Sequence, residues 1–308
     1  MFVTLICAVL FSSSAIALPA LRQPPRFSDE FARTKVVTLC AATQLDDPQI
    51  CLRHTFTNTT VLHKITTQCD KIPTDTCSGY TAINHADKAI ILVFRGTIGE
   101  NQLVLESEVT VFEKMTAWVA GGTVSSYFYN AFFSVWNGGI KDDFLTLANK
   151  YKGYELWIVG HSLGGAMASL AASYIEKVKL YDGNLIKLVT FGQPRTGDNV
   201  FAKAHDAQIP YSFRIVHAHD NIPHNPLNGF RHYRHHKSEV WYNNNMTTAD
   251  YVECDEEESK ACSDQISIAD LTFHDHHRYY NVYISEWGAV GCTGDPANPH
   301  SHSTISPN

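Results

Sequence analysis

The sequence predicts an α/β fold, a mostly parallel central sheet with helices on both faces in a single domain. Three observations predict it. From about residue 89 to 217, short apolar runs alternate with helical stretches. The runs "AIILVF", "YELWIV", "LIKLVTF" and "YSFRIV" are nearly continuous in apolar character, as strands buried on both faces are. Between the second run and the helix after it stands "GHSLGG", a glycine-rich junction around one serine, Ser162.

Taken in order, the chain opens on "MFVTLICAVLFSSSAIA", which has no charged side chain. Its apolar run from Phe2 to Phe11 is too short to span a bilayer. With Ala15 and Ala17 in a small-x-small pattern, residues 1–17 read as a secretory signal and 18–308 as the mature domain. No later segment has the length and apolarity of a membrane helix, so no transmembrane anchor is expected. "SDEFARTKVVTLCAATQ" reads as a capped helix with Ser28 or Asp29 at the N-cap, and a cysteine-bearing loop region follows. "GYTAINHADKAIILVFRG" reads as two strands around a turn at Ala86 and Asp87. "IKDDFLTLANKYKGY" is a helix, "YELWIVG" a strand, and "LGGAMASLAASYIEKVKL" a helix with a small Ala/Gly face for packing on the sheet. "LIKLVTFG" and "YSFRIVHA" are strands. Between them "GQPRTGD" turns the chain, with Gln193, Pro194 and Arg195 read as structural.

At 308 residues, 44% hydrophobic and 18% charged, the chain can bury a large core. A net charge of -7 argues against nucleic acid as a partner. Eight cysteines fit an oxidising compartment. Cys7 falls in the signal. Cys69 with Cys77, and Cys254 with Cys262, are spaced for local disulfides across polar turns. Cys292 needs a distant partner, Cys40 or Cys51, which leaves one thiol over. Zinc is the rival reading, but no C-x-x-C pair is present. Asn58 in "NTT" and Asn245 in "NMT" are glycosylation acceptors in a secreted chain. The acidic loop "CDEEESKAC" lacks the alternating oxygen spacing of a calcium loop.

Ser162 sits where a strand turns into a helix, the context that the G-x-S-x-G nucleophile elbow requires. The flanking glycines permit the tight turn and a close strand–helix approach. The serine is expected to stand exposed at the C-terminal edge of the sheet, beside a helix N-terminus that favours negative charge. A serine hydroxyl needs a base, and the base needs an orienting acid. Downstream, "FRIVHAHDNIPH" offers Asp220, with Asp198 the second choice, and "LTFHDHHRYYNV" offers His274, His276 and His277.

Six motifs in this order, "VFRGT", "VGHSLGGA", "FGQPRTGD", "RIVHAHDNIPHNP", "EVWY" and "DHHRYY", resemble those of the secreted fungal-type, or class three, triacylglycerol lipases. That family is a branch of the α/β-hydrolase fold, and the likeness covers most of the mature chain. The resemblance implies Ser162 as nucleophile, Asp220 as acid in an Asp followed by Pro-His, and His276 as base in an Asp-His-x-x-aromatic-aromatic pattern. His276 is preferred over His277 on that motif. It implies an oxyanion hole from the N–H groups of Leu163 and Thr97. It makes residues 98–109 a mobile lid, with Ile98, Leu103, Val104, Leu105 and Val109 as an apolar stripe. The lid departs from the fungal pattern in carrying no Trp and three acids, Glu100, Glu106 and Glu108, which leaves small soluble esters open as substrates.

The expected activity is hydrolysis of acylglycerols or other esters at a lipid–water interface by a secreted monomer, without cofactor. An esterase on soluble short-chain or aromatic esters is the enzyme alternative. A non-catalytic lipid-binding relative is the alternative from another class. Sixteen histidines invite a metal reading, but no H-E-x-x-H occurs and no metal is expected.

Overall fold

Eight strands lie side by side in chain order: β1 (Thr59–Gln68), β2 (Thr76–Asn84), β3 (Ala89–Phe94), β4 (Glu155–His161), β5 (Ile186–Phe191), β6 (Tyr211–His217), β7 (Glu239–Tyr242) and β8 (Val252–Cys254). They come from a computed structural model that describes residues 25–69, 75–96 and 114–299. The expected signal, Thr97 and the expected lid residues Ile98, Leu103, Val104 and Leu105 lie outside the described residues. Strands β3 to β7 run parallel, and antiparallel strands close both edges.

The sheet is parallel because helices cross between its central strands. The helices are α1 (Val37–Ala42), α2 (Gln49–Thr55), α3 (Ser126–Val135), α4 (Lys141–Lys150), α5 (Leu163–Lys177), α6 (Asn199–Gln208) and α7 (Ile284–Ala289). The strands divide their side chains between two cores, as a period of two demands. Ile90, Leu92 and Phe94 of β3, with Leu156 and Ile158 of β4, face the aromatic residues of α3 and the small residues of α5. Ala89, Ile91 and Val93, with Trp157 and Val159, face α1, α2 and the C-terminal turn at Tyr279–Tyr280. Continuous apolar runs therefore did report strands buried on both faces.

Two expectations need correction. The stretch read as a loop after the first helix contains α2 and the ten-residue strand β1. β1 is a Thr-rich edge strand with no fully buried residue, so it lacks an apolar run and is held by its backbone ladder to β2. The first helix is also interrupted by a π-helical turn, Ala32–Val36, although Ser28 accepts the Phe31 N–H as an N-cap does.

The local disulfides Cys69–Cys77 and Cys254–Cys262 are present. The open choice for Cys292 resolves to Cys51, which leaves Cys40 as a buried thiol. Asn58 and Asn245 are exposed.

Candidate active site

β4 ends at His161, α5 begins at Leu163, and Ser162 alone makes the turn between them. Its φ of 59° and ψ of -129° place a non-glycine residue where L side chains are strained, at a cost of about 1–3 kcal/mol. The sequence supplies what that turn needs. A Cβ on Gly160 would come within 2.2 Å of the Gly164 carbonyl oxygen, so no side chain fits where strand and helix meet. The Ser162 N–H donates to the Phe191 carbonyl at 2.9 Å, which ties the elbow to the end of β5.

Ser162 lies at the C-terminal edge of the sheet, as expected, but it is 3% exposed rather than open. Gly96, at the end of β3, approaches so closely that a Cβ there would meet the Ser162 Cβ at 3.1 Å. Leu163 is the first residue of α5, so its N–H has no partner within the helix.

Asp220 follows β6, and His276 sits in the turn Asp275–His277. The two segments are joined by backbone pairing of Asp220 with Thr272. The Asp220 carboxylate is fully buried and accepts from His276 Nδ1 at 2.9 and 3.0 Å. It also accepts from the Tyr279 hydroxyl and from the Ile222 N–H at 2.9 Å. Burial alone would raise its pKa; the charge and hydrogen bond of His276, with those from Tyr279 and Ile222, outweigh burial and hold the carboxyl below its ordinary value. A carboxylate that takes Nδ1–H leaves Nε2 as the basic nitrogen.

That nitrogen and the Ser162 Oγ are both buried, and neither has a hydrogen-bond partner among the described residues. Buried polar atoms are rarely left so. Both belong to one corner of the molecule. Ser162 is bonded to Phe191, and the next residue, Gly192, lies against the base and acid: a Cβ there would come 2.7 Å from the His276 ring and 2.8 Å from Asp220 Oδ2. Gly192 has φ +55°, a second reason for glycine at that point.

The other candidates lie elsewhere. Asp198 is the N-cap of α6, accepting from the Val200 and Phe201 N–H groups and from Thr123. Its carboxylate is consumed by the helix start. His274 is exposed and paired with Asp275. His277 is half-buried, with its ring centroid 6.0 Å from that of His276.

Arg195 of "GQPRTGD" donates to the Pro226 carbonyl at 3.0 Å, but its larger role is ionic. It grips Glu258 with two bonds, at 2.9 and 2.7 Å, and Asp264 at 3.1 Å. Glu258 comes from the acidic loop closed by Cys254–Cys262. Sequence reading missed this pair because nothing local links positions 195 and 258.

Among the described residues one trio of metal-type side chains gathers, His205, Asp206 and His236. The two rings stack at 3.8 Å and 14°, so their in-plane lone pairs run side by side instead of converging on one ion. A cleft of about 390 Å³ lined by Asp206, Lys237 and Asp255 opens at the opposite end of β6 from Asp220.

A family model, Lipase (class 3), matches residues 91–230. A lipase of Caenorhabditis elegans is 32% identical over 297 residues, covering 85% of this chain and 81% of that one. A secreted mono- and diacylglycerol lipase of Penicillium camembertii is 30% identical over 223 residues, covering 70% and 69%. Among solved structures, a lipase from Rhizopus microsporus var. chinensis superposes with a TM-score of 0.66 at 26% identity, covering 89% of this chain and 97% of that one.

Proposed function

We propose that this chain, which belongs to the class 3 lipase family, hydrolyses acylglycerol esters with Ser162 as nucleophile, His276 as general base and Asp220 as the orienting acid. It is a carboxylic ester hydrolase of lipase type. The observation that carries the residue assignment is the buried Asp220–His276 pair with two buried atoms that have no partner among the described residues, His276 Nε2 and Ser162 Oγ.

In the proposed cycle His276 Nε2 takes the Ser162 proton as Oγ attacks the ester carbonyl. The oxyanion that forms is stabilised by the Leu163 N–H and the positive end of α5. Collapse breaks the ester C–O bond, and the alcohol leaves with the proton from His276. Water then attacks the acyl-enzyme by the same route, releasing the fatty acid and restoring Ser162. Asp220 stabilises the imidazolium in both halves. Family resemblance supports Thr97 as the second oxyanion donor and residues 98–109 as the cover over the site.

The Penicillium relative is named for mono- and diacylglycerols, which supports acylglycerol substrates here. Three disulfides and the secreted relative support an extracellular location.

A fluorophosphonate probe should label the wild type and not Ser162→Ala, and tributyrin hydrolysis should fall by about 10⁵-fold or more in that variant. Retained hydrolysis in Ser162→Ala would sink the assignment. A rate that jumps when tributyrin passes its solubility limit is expected of a lipase; a smooth saturable curve would turn the reading toward a soluble esterase.

A further inference from the structure

The turn that carries His276 has no long element to hold it. It is a single helical turn, Asp275–His277, followed by a two-residue strand. A general base on such a turn must still be held to within a fraction of an ångström of its nucleophile.

Two other histidines end the strands below. His161 is the last residue of β4 and His217 the last of β6, and both are buried. His161 Nε2 lies 2.8 Å from the His276 carbonyl oxygen. His217 Nδ1 lies 3.0 Å from the carbonyl oxygen of Asp275. A carbonyl only accepts, so each ring nitrogen must carry the proton and donate it. The two carbonyls are consecutive and flank the peptide unit of the base.

The rings are fixed in turn. The edge-on faces of His161 and His217 meet Tyr279 at 5.7 and 5.8 Å, and Tyr279 itself donates to Asp220. His161 also stacks on the His276 ring at 4.5 Å and 28°. Burial first, and the charge of His276 next, drive the His161 pKa down to about 3, so it donates as a neutral ring at any working pH.

We propose that His161 and His217 are positioning residues that clamp the base turn to the rigid sheet by donating to two consecutive carbonyls. Neither bonds to the reacting atoms. Their effect reaches the reaction through the direction in which His276 leaves its backbone. This inference rests on His276 being the general base.

The groups facing the His276 ring are the Asp220 carboxylate, the His161 ring and His277, with His217, Tyr279, His274 and Asp275 around them.

The test compares His161→Phe and His217→Phe, which keep a ring without a donor, with His161→Gln and His217→Asn, whose amide N–H groups stand near the lost Nε2 and Nδ1 donors. His161→Ala and His217→Ala stand in if the Phe variants do not fold. Folding is checked by thermal melting, and kcat is normalised to phosphonate-titrated sites. The Phe or Ala variants should lose kcat about tenfold with KM unchanged. The amide variants should regain most of the loss. Wild-type kcat in folded Phe or Ala variants would overturn the clamp, as would a loss confined to KM or amide variants no better than Phe. If Ser162→Ala stays active, the catalytic assignment fails instead, and that outcome is separate from any result at His161 or His217.

Discussion

Two groups of interior carboxylates, Asp220 with its donors and the Glu258–Asp264 pair on Arg195, differ in where their bonds lead. Asp220 is surrounded by donors, and the chain of bonds it starts ends on a His276 nitrogen with no partner among the described residues. Glu258 and Asp264 crowd around Arg195, and there burial and mutual charge force the two acids apart. Burial pushes Glu258 up, but Arg195 and His235 outweigh it and hold it well below its ordinary value. Asp264, raised by burial and then by Glu258, reaches about 7. Both groups hold acids shifted from their ordinary values. Both also border buried ring nitrogens without a partner among the described residues, His276 Nε2 in the first and His224 Nε2 and His235 Nδ1 in the second, but only in the first does an open serine hydroxyl, Ser162 Oγ, share the corner, and that open pair of atoms is what marks a reaction centre.

The largest contrast is expected from Asp220→Asn. An amide in place of the carboxylate leaves His276 in the wrong tautomer, and kcat should drop about 10⁴-fold with the melting temperature little changed. If kcat falls by less than about tenfold, the open-atom criterion has picked the wrong acid.

Glu258→Gln is the mirror experiment. It leaves Arg195 with one good partner fewer in the interior and should destabilise the fold by about 3 kcal/mol in urea unfolding, with kcat of the folded fraction nearly intact. A collapse of kcat at full stability would erase the distinction between the two groups.

Asp264 sharpens the contrast through pH. Its folded pKa of about 7 lies above the ordinary value of 3.8, so the stability it contributes is present below about pH 4 and is lost as pH rises to 7. Asp264→Asn should flatten unfolding stability across that window. Asp220 has the opposite sign: its contribution is present at neutral pH and is lost as pH falls below the ordinary carboxylate range. Unchanged pH dependence in Asp264→Asn would mean that the proton resides elsewhere in the cluster.

The smallest effect is expected at Asp198, the rival acid. Asp198→Ala should cost about 1 kcal/mol of stability through the lost α6 cap and leave the acid limb of the pH profile in place.

The sheet, and the three residues proposed to react, each leave a local trace. Buried parallel strands read as apolar runs, the Ser162 turn needs glycine on both sides, and Asp220 and His276 follow a strand and precede an aromatic pair. β1 was illegible because an edge strand can be polar and still pair through its backbone. The partners of Arg195 and Cys292 were illegible for another reason. They lie 63 and 241 residues away along the chain, and no spacing rule encodes a contact made only after the sheet has assembled. The buried state of Ser162 belongs to the same class, since Gly96 and the Phe191–Gly192 turn reach it from other strands.

The Cys51–Cys292 bond has a practical corollary. It closes a covalent ring that contains every strand of the sheet and the three residues proposed to react. A protease that cuts one exposed loop between these cysteines opens the chain without dividing it. The nicked protein should keep its full mass on a gel run without reductant and separate into two pieces only when thiol is added.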